Sequence, residues 1–304
     1  MLIAVLAALA AGCMFSIGAV LQQSAARKAP EDVALSWRLL ANLVHRPLWV
    51  AGICSDAVSF GFQALALAFG PLALVQPLLV CGLLFALPLA VRLRKRRLGR
   101  REWLGTAGVA GGLAMFLIAA SPSEGTAQPT TIRWIAMISA IAAVMAVSTA
   151  VGKAMSGAWR PSLYAVAAGC AFGLIAALTK TSVSLLEQGF GIFFTSWEPY
   201  AMAVVAIIGA IVQQSAFQAG PLPVSLPVMD AVEPTVATLL GVIGFGETVS
   251  TEPVALFFQF LGVAALLAGI VTLDRSPVIH ALQRKEADEP DFSVVAGIGV
   301  TGEA

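Results

Sequence analysis

Apolar residues run along this chain in blocks of about 20, each long enough to cross the hydrocarbon core of a bilayer as a helix, and Pro, Gly or clustered charge separates one block from the next. Nine blocks stand out, at Leu2 to Ser24, Pro47 to Phe69, Leu72 to Leu93, Trp103 to Ala120, Ile132 to Gly152, Leu163 to Leu186, Pro199 to Ala219, Leu222 to Phe245 and Pro253 to Leu273. A further stretch, Val33 to Val44 (VALSWRLLANLV), is apolar but about a dozen residues long and contains Arg38. It reads as an interfacial amphipathic helix, with a tenth, short span as the alternative. The pattern predicts an all-α polytopic membrane protein.

Composition agrees with the pattern. Of the 304 residues, 59% are hydrophobic and 12% charged, with a mean hydropathy of +0.88. Soluble domains run at about 45–50% apolar and about 25% charged, so a soluble enzyme and a disordered chain are both excluded. The four cysteines, Cys13, Cys54, Cys81 and Cys170, form no CxxC pair and have no histidine nearby, so neither a zinc site nor any other cofactor is expected. Ala10 to Cys13 resembles a lipoprotein cleavage box, yet the apolar run continues to Leu21 and the same four letters recur at Ala167 to Cys170.

Charge placement says more than net charge. Sixteen of the 18 bases fall in the loops after the first, third and fifth blocks and in the tail, including the run Arg92 to Arg101; the opposite loops hold only Arg133. By the positive-inside rule the N-terminus lies outside and the C-terminus in the cytoplasm, in a multi-pass protein of the plasma membrane. Nine spans, an odd number, require the termini on opposite sides. The basic run is flanked by spans, so its partner is anionic lipid rather than nucleic acid.

The chain also repeats itself. An offset of 157 residues relates Ala10-Ala11-Gly12-Cys13 to Ala167-Ala168-Gly169-Cys170, Phe15 to Phe172, Pro77 to Pro234, Gly105 to Gly262 and Gly112 to Gly269. An offset of 150 relates Gln63 to Gln213 and Gly70-Pro71-Leu72 to Gly220-Pro221-Leu222. The first four spans thus repeat as the last four. Five spans separate equivalent helices, so the two copies lie upside down relative to each other, an architecture used by secondary transporters that hold substrate near the midplane. The expected organisation is an N-terminal repeat at 1–120, an additional span with the C-terminal repeat at 121–275, and a disordered cytoplasmic tail at 276–304.

Residues Leu226 to Leu273 combine a Glu-Pro pair inside a span, Phe-Gly-Glu at Phe245 to Glu247, and a glycine-spaced last helix. The segment resembles the closing part of the EamA-like repeats of the drug/metabolite transporter superfamily. The stretch FGPLALVQPLL, Phe69 to Leu79, is similar to the NIPA-type magnesium transporter branch of that superfamily. The resemblance implies nine spans and a transport function, and it puts Lys180 where that branch tends to carry a lysine. It departs from the branch in one respect: the acid expected in the second span at the level of Phe60 stands a turn earlier, at Asp56.

Ionisable side chains at bilayer depth cost about 2.5–3.5 kcal/mol each on insertion scales, so each needs a reason. Asp56, Lys180, Asp230 and Glu233 are the four. Asp56, Ser59 and Gln63 share one helix face at i, i+3 and i+7, Asp230 and Glu233 share another, and Gln214 and Gln218 a third. With Gln76 and Gln22 they are positioned to line a polar cavity. Asp56 is the leading candidate, as a cation ligand or a proton carrier, and counts as a metal ligand only if the cargo is a divalent cation. The alternative reading makes Lys180 a neutralising partner of Asp56 or Glu187, Glu233-Pro234 a helix-shaping pair, and the glutamines interhelical packing.

These features predict a secondary transporter working by alternating access rather than an enzyme. Its cargo would be a small organic metabolite, a drug-like solute or Mg²⁺. Its partners are the bilayer and that cargo, with a homodimer left open. The competing expectation is a non-transporting, lipid-interacting or assembly protein, whose polar stripes would be consumed by interhelical hydrogen bonds.

Overall fold

A computed structural model describes residues 2–69, 78, 82, 99–120, 128–248 and 250–276. Every regular element among them is helical: α1 (Leu2–Ala26), a 3₁₀ turn (Glu31–Val33), α2 (Trp37–Leu43), α3 (Pro47–Phe69), α4 (Arg100–Ala120), α5 (Thr131–Ala154), α6 (Trp159–Gln188), α7 (Phe190–Thr195), α8 (Glu198–Ala219), α9 (Leu222–Leu240) with a π turn at Gly241–Phe245, and α10 (Pro253–Asp274). Seven of these, α1, α4, α5, α6, α8, α9 with its π turn, and α10, are long and apolar enough to cross a membrane. The chain is an all-α, multi-pass membrane protein. α3 coincides with the second expected span, and the third, Leu72 to Leu93, lies outside the described residues apart from Leu78 and Gly82, as does the tail beyond Ser276.

α2 is seven residues long, about 10 Å, too short to cross a bilayer. It starts where Ser36 accepts a hydrogen bond from the Arg38 amide, and it buries Leu39 and Leu43 while exposing Trp37. That helix is therefore too short to be a tenth span.

α6 is the most buried of the seven spans and α10 the least. The cause is local. Ala165, Ala167, Ala168, Gly169, Cys170 and Ala171 leave α6 with almost no side-chain bulk, so α8 and α9 settle directly on it. A Cβ on Gly169 would stand 3.0 Å from the Met229 carbonyl oxygen, and one on Gly173 3.0 Å from that of Glu233. α10 instead turns Phe257, Phe260 and Leu267 outward, as a lipid-facing helix does.

α1 packs along α3 just as α6 packs along α8, while α4 packs along α10. That last crossing is backbone to backbone. A Cβ on Gly112 would fall 2.5 Å from the Gly262 carbonyl oxygen, and one on Gly269 2.6 Å from that of Gly105. Gly105 and Gly262, and Gly112 and Gly269, are the residues that the 157-residue offset equates. Exchanging the two halves converts the Gly105 to Gly269 contact into the Gly262 to Gly112 contact, as a two-fold relation between inverted copies requires.

Candidate functional site

A cavity of about 420 Å³ lies among α1, α3, α4, α6, α8 and α9. Its polar lining comes from Asp56, Ser59 and Gln63 on α3, Gln213 on α8, and Asp230 and Glu233 on α9. Asp56 is roughly 13 Å along α3 and Glu233 roughly 16 Å along α9 at 1.5 Å per residue, so the site sits near the middle of both helices. Its apolar lining includes Phe15, Phe60, Phe172, Leu113 and Leu117. No Lys, Arg or His is among the described residues that line it.

Local packing fixes where the α3 stripe points. Ser55 donates to the Met14 carbonyl at 2.7 Å and Ser59 to that of Ala11 at 2.8 Å, clamping α3 to α1. Gly18 and Gly52 make that approach possible: a Cβ on either would stand 3.0 Å from the other's carbonyl oxygen. The Asp56 carboxylate occupies the space over Gly18 that a side chain there would need. Its Oδ2 accepts from Gln22 Nε2 at 2.6 Å, and its Oδ1 is buried with no hydrogen-bond partner among the described residues.

On α9, Pro227 and Pro234 lie inside a helix that nonetheless continues. Asp230 and Glu233 follow on one face, and neither carboxylate is hydrogen bonded among the described residues. Three acids from two helices therefore converge on one space with no counter-charge among the described residues that line it. Among the described residues no group of three His, Cys, Asp or Glu side chains is close enough to form a metal cage.

The cavity brings together Asp56, Gln63, Asp230 and Glu233 of the residues singled out in the sequence. Gln214 is not in its wall. It is buried and donates from Nε2 to Gln22 Oε1 at 2.7 Å, so Gln214, Gln22 and Asp56 form one hydrogen-bonded chain across α8, α1 and α3. Lys180 is elsewhere: its Nζ bonds Glu247 Oε1 and stands 4.8 Å from the Phe245 ring centroid, so its partner is neither Asp56 nor Glu187. Gln76 lies outside the described residues. Gln213 enters as a wall residue that face-counting missed, although its match to Gln63 at offset 150 had marked it.

No family model matches the chain, and no solved structure matches it. The resemblance to drug/metabolite transporters thus stands on the quoted residues alone. The chain is 22% identical over 315 residues to the probable magnesium transporter NIPA9 of Arabidopsis thaliana, covering 96% of this chain and 88% of that one. It is 32% identical over 283 residues to an uncharacterized protein of Corynebacterium glutamicum, covering 92% of this chain and 97% of its relative. With that identity over nearly the whole of both chains, this multi-pass protein belongs to the same family as the Corynebacterium glutamicum protein.

Proposed function

We propose that the protein is a secondary transporter that moves a cation through the mid-membrane cavity by alternating access, with Mg²⁺ the first cargo to test. The observation that carries this reading is the convergence of Asp56, Asp230 and Glu233 on one cavity that no base among the described residues lines. A cation entering it would favour the charged form of these desolvated acids, whereas an anion would find no base among the described lining residues.

Mg²⁺ keeps most of its water and is commonly held by one or two carboxylates, which suits a site without a three-ligand cage. Six waters occupy about 180 Å³ at about 30 Å³ each, within a cavity of about 420 Å³. The similarity to a probable magnesium transporter supports the same cargo. A second reading, a small organic cation, is favoured by the aromatic wall of Phe15, Phe60 and Phe172.

A non-transporting scaffold would satisfy its polar stripes by hydrogen bonds between helices. Ser59, Gln22 and Gln214 do this, while Gln63, Asp230 and Glu233 are left facing the cavity. The orientation that goes with the proposal puts the basic loops in the cytoplasm of a plasma-membrane protein.

The test is uptake into proteoliposomes of Mg²⁺, amino acids and cationic dyes, with and without a proton gradient. Asp56→Asn is expected to lower flux of the true cargo by at least about tenfold, the loss of one charge-assisted contact. Full flux of every cargo in Asp56→Asn would sink the reading.

A further inference from the structure

We propose that Gln22 and Gln214 are positioning residues that relay the occupancy of Asp56 to a hydrogen-bonded latch closing the base-rich end of the molecule. The proposal rests on Asp56 belonging to the cargo site.

The latch is built from the end of α1, the loop after it, and the α8–α9 junction. Gln218 Nε2 donates to the carbonyls of Ala29 at 3.0 Å and Pro30 at 2.6 Å. Arg27 Nη1 donates to the Gln218 carbonyl at 2.8 Å, Gln23 Nε2 to that of Gly220 at 3.1 Å, and the Leu35 amide to Ser215 Oγ at 2.9 Å. Leu35 has a φ of +54°, a left-handed backbone that a leucine holds only when its surroundings insist. Beneath these bonds Ala26, Leu39, Leu43, Phe217 and Leu222 form a fully buried plug.

The distribution of ties makes this contact the movable one. The α4–α10 seam is tied near both ends, by Ser276 Oγ to Glu102 at one and by Gln259 Nε2 to the Ala119 carbonyl at 3.2 Å with the Ser250 amide to that of Ala120 at 3.0 Å at the other. Hydrogen bonds from 2–69 to α8 and the α8–α9 junction lie in the latch and in the chain from Gln214 through Gln22 to Asp56, and Glu31 adds an ion pair to Arg160 of α6 at 3.9 Å.

The direction of that chain is dictated by charge. A carboxylate only accepts, so Asp56 compels Gln22 to present its NH₂ and thereby its oxygen to Gln214. Gln214 spends its NH₂ on that oxygen, and its own Oε1 is left buried without a partner among the described residues. One turn along α8 stands Gln218, the centre of the latch. A cation that takes Asp56 Oδ2 displaces the Gln22 amide from it, which frees Gln22 and Gln214 to turn over and lets the unpartnered Gln214 Oε1 find a donor beside Gln218.

The test reads the latch directly. Ala26→Cys, with the four native cysteines replaced by alanine, is labelled by a membrane-impermeant maleimide applied from the base-rich side of proteoliposomes. Gln218→Ala should speed labelling by about tenfold, a coupling of ordinary size. Asp56→Leu, which has no acceptor to offer Gln22, should do the same without any cargo, whereas Asp230→Leu, in the same cavity but off the chain, should not. In Gln214→Leu the Asp56→Leu effect should vanish; should Gln214→Leu not give a monodisperse protein, Gln22→Leu breaks the same chain and takes its place. Equal labelling of the Asp56 and Asp230 variants, or an Asp56→Leu effect that survives breaking the chain, overturns the relay. MgCl₂ is then added to the reporter protein: no change in labelling alongside an intact Asp56→Leu effect leaves the relay standing and counts against Mg²⁺ as cargo.

Discussion

Gly111 and Gly112 are neighbours on α4, and replacing each by alanine should move stability in opposite directions. A Cβ on Gly112 would meet the Gly262 carbonyl oxygen and the Leu266 amide nitrogen, each at 2.5 Å, and both are backbone atoms of α10 that cannot rotate aside. Ordinary contact begins near 3.5 Å, so the helices would have to part by about 1 Å. A gap of that size forfeits a quarter to a half of each dispersion contact; with on the order of 30 atom pairs at about 0.15 kcal/mol, the loss is roughly 1–2 kcal/mol. A Cβ on Gly111 meets nothing within 4 Å, so Gly111→Ala keeps the seam and adds about 0.4–1 kcal/mol by restricting the unfolded chain. Thermal unfolding in one detergent, followed by circular dichroism, should show Gly112→Ala roughly 2–8 °C below the wild type and Gly111→Ala at or above it. Gly269→Ala should behave as Gly112→Ala does, because its Cβ would fall 2.6 Å from both the Gly105 carbonyl oxygen and the Val109 amide nitrogen. Equal melting temperatures for the Gly111 and Gly112 variants would refute backbone contact between α4 and α10, and with it the fixed seam.

Two further substitutions separate the cavity from its surroundings. Gly18→Ala drives a Cβ into the Asp56 carboxylate, which must swing off Gln22; losing that charge-assisted bond, about 1.5–3 kcal/mol, should raise the cargo KM by about tenfold or more in proteoliposome uptake, and an unchanged KM would mean that Asp56 is not held against α1. Lys180→Met removes a half-exposed ion pair worth at most about 1 kcal/mol, so melting should shift by only a few degrees and flux by no more than about twofold; a tenfold loss of flux would put Lys180 back on the transport path.

The helical architecture was legible because apolar blocks of membrane length are a strong signal, and the face-sharing of Asp56, Ser59 and Gln63 followed from a periodicity that holds in any helix. What escaped depends on angles and backbone detours. Gln213 and Gln214 differ by about 100° around α8, so one enters the cavity wall and the other meets Gln22 on α1; only the packing of α8 decides which. The sequence offers Lys180 as a cargo-site residue, or alternatively as a partner of Asp56 or Glu187. The π turn at Gly241–Phe245 and the left-handed Gly246 instead fold Glu247 back over Gly241, delivering a carboxylate to α6 from 67 residues away.

The repeat adds a consequence for how the two ends differ. Gln23 and Lys180 are equivalent under the 157-residue offset, and they stand toward opposite ends of the spans. Gln23 reaches from the first half to the Gly220 carbonyl in the second, whereas Lys180 bonds Glu247 within its own half. Equivalent positions thus do unequal work: one helps hold the halves together and the other does not. The two ends are therefore held differently. The acids break the symmetry further, since the 150-residue offset equates Asp56 with Ala206 and the 157-residue offset equates Glu233 with Gln76. The halves thus repeat the glycine seam between α4 and α10 but not the acids that line the cavity.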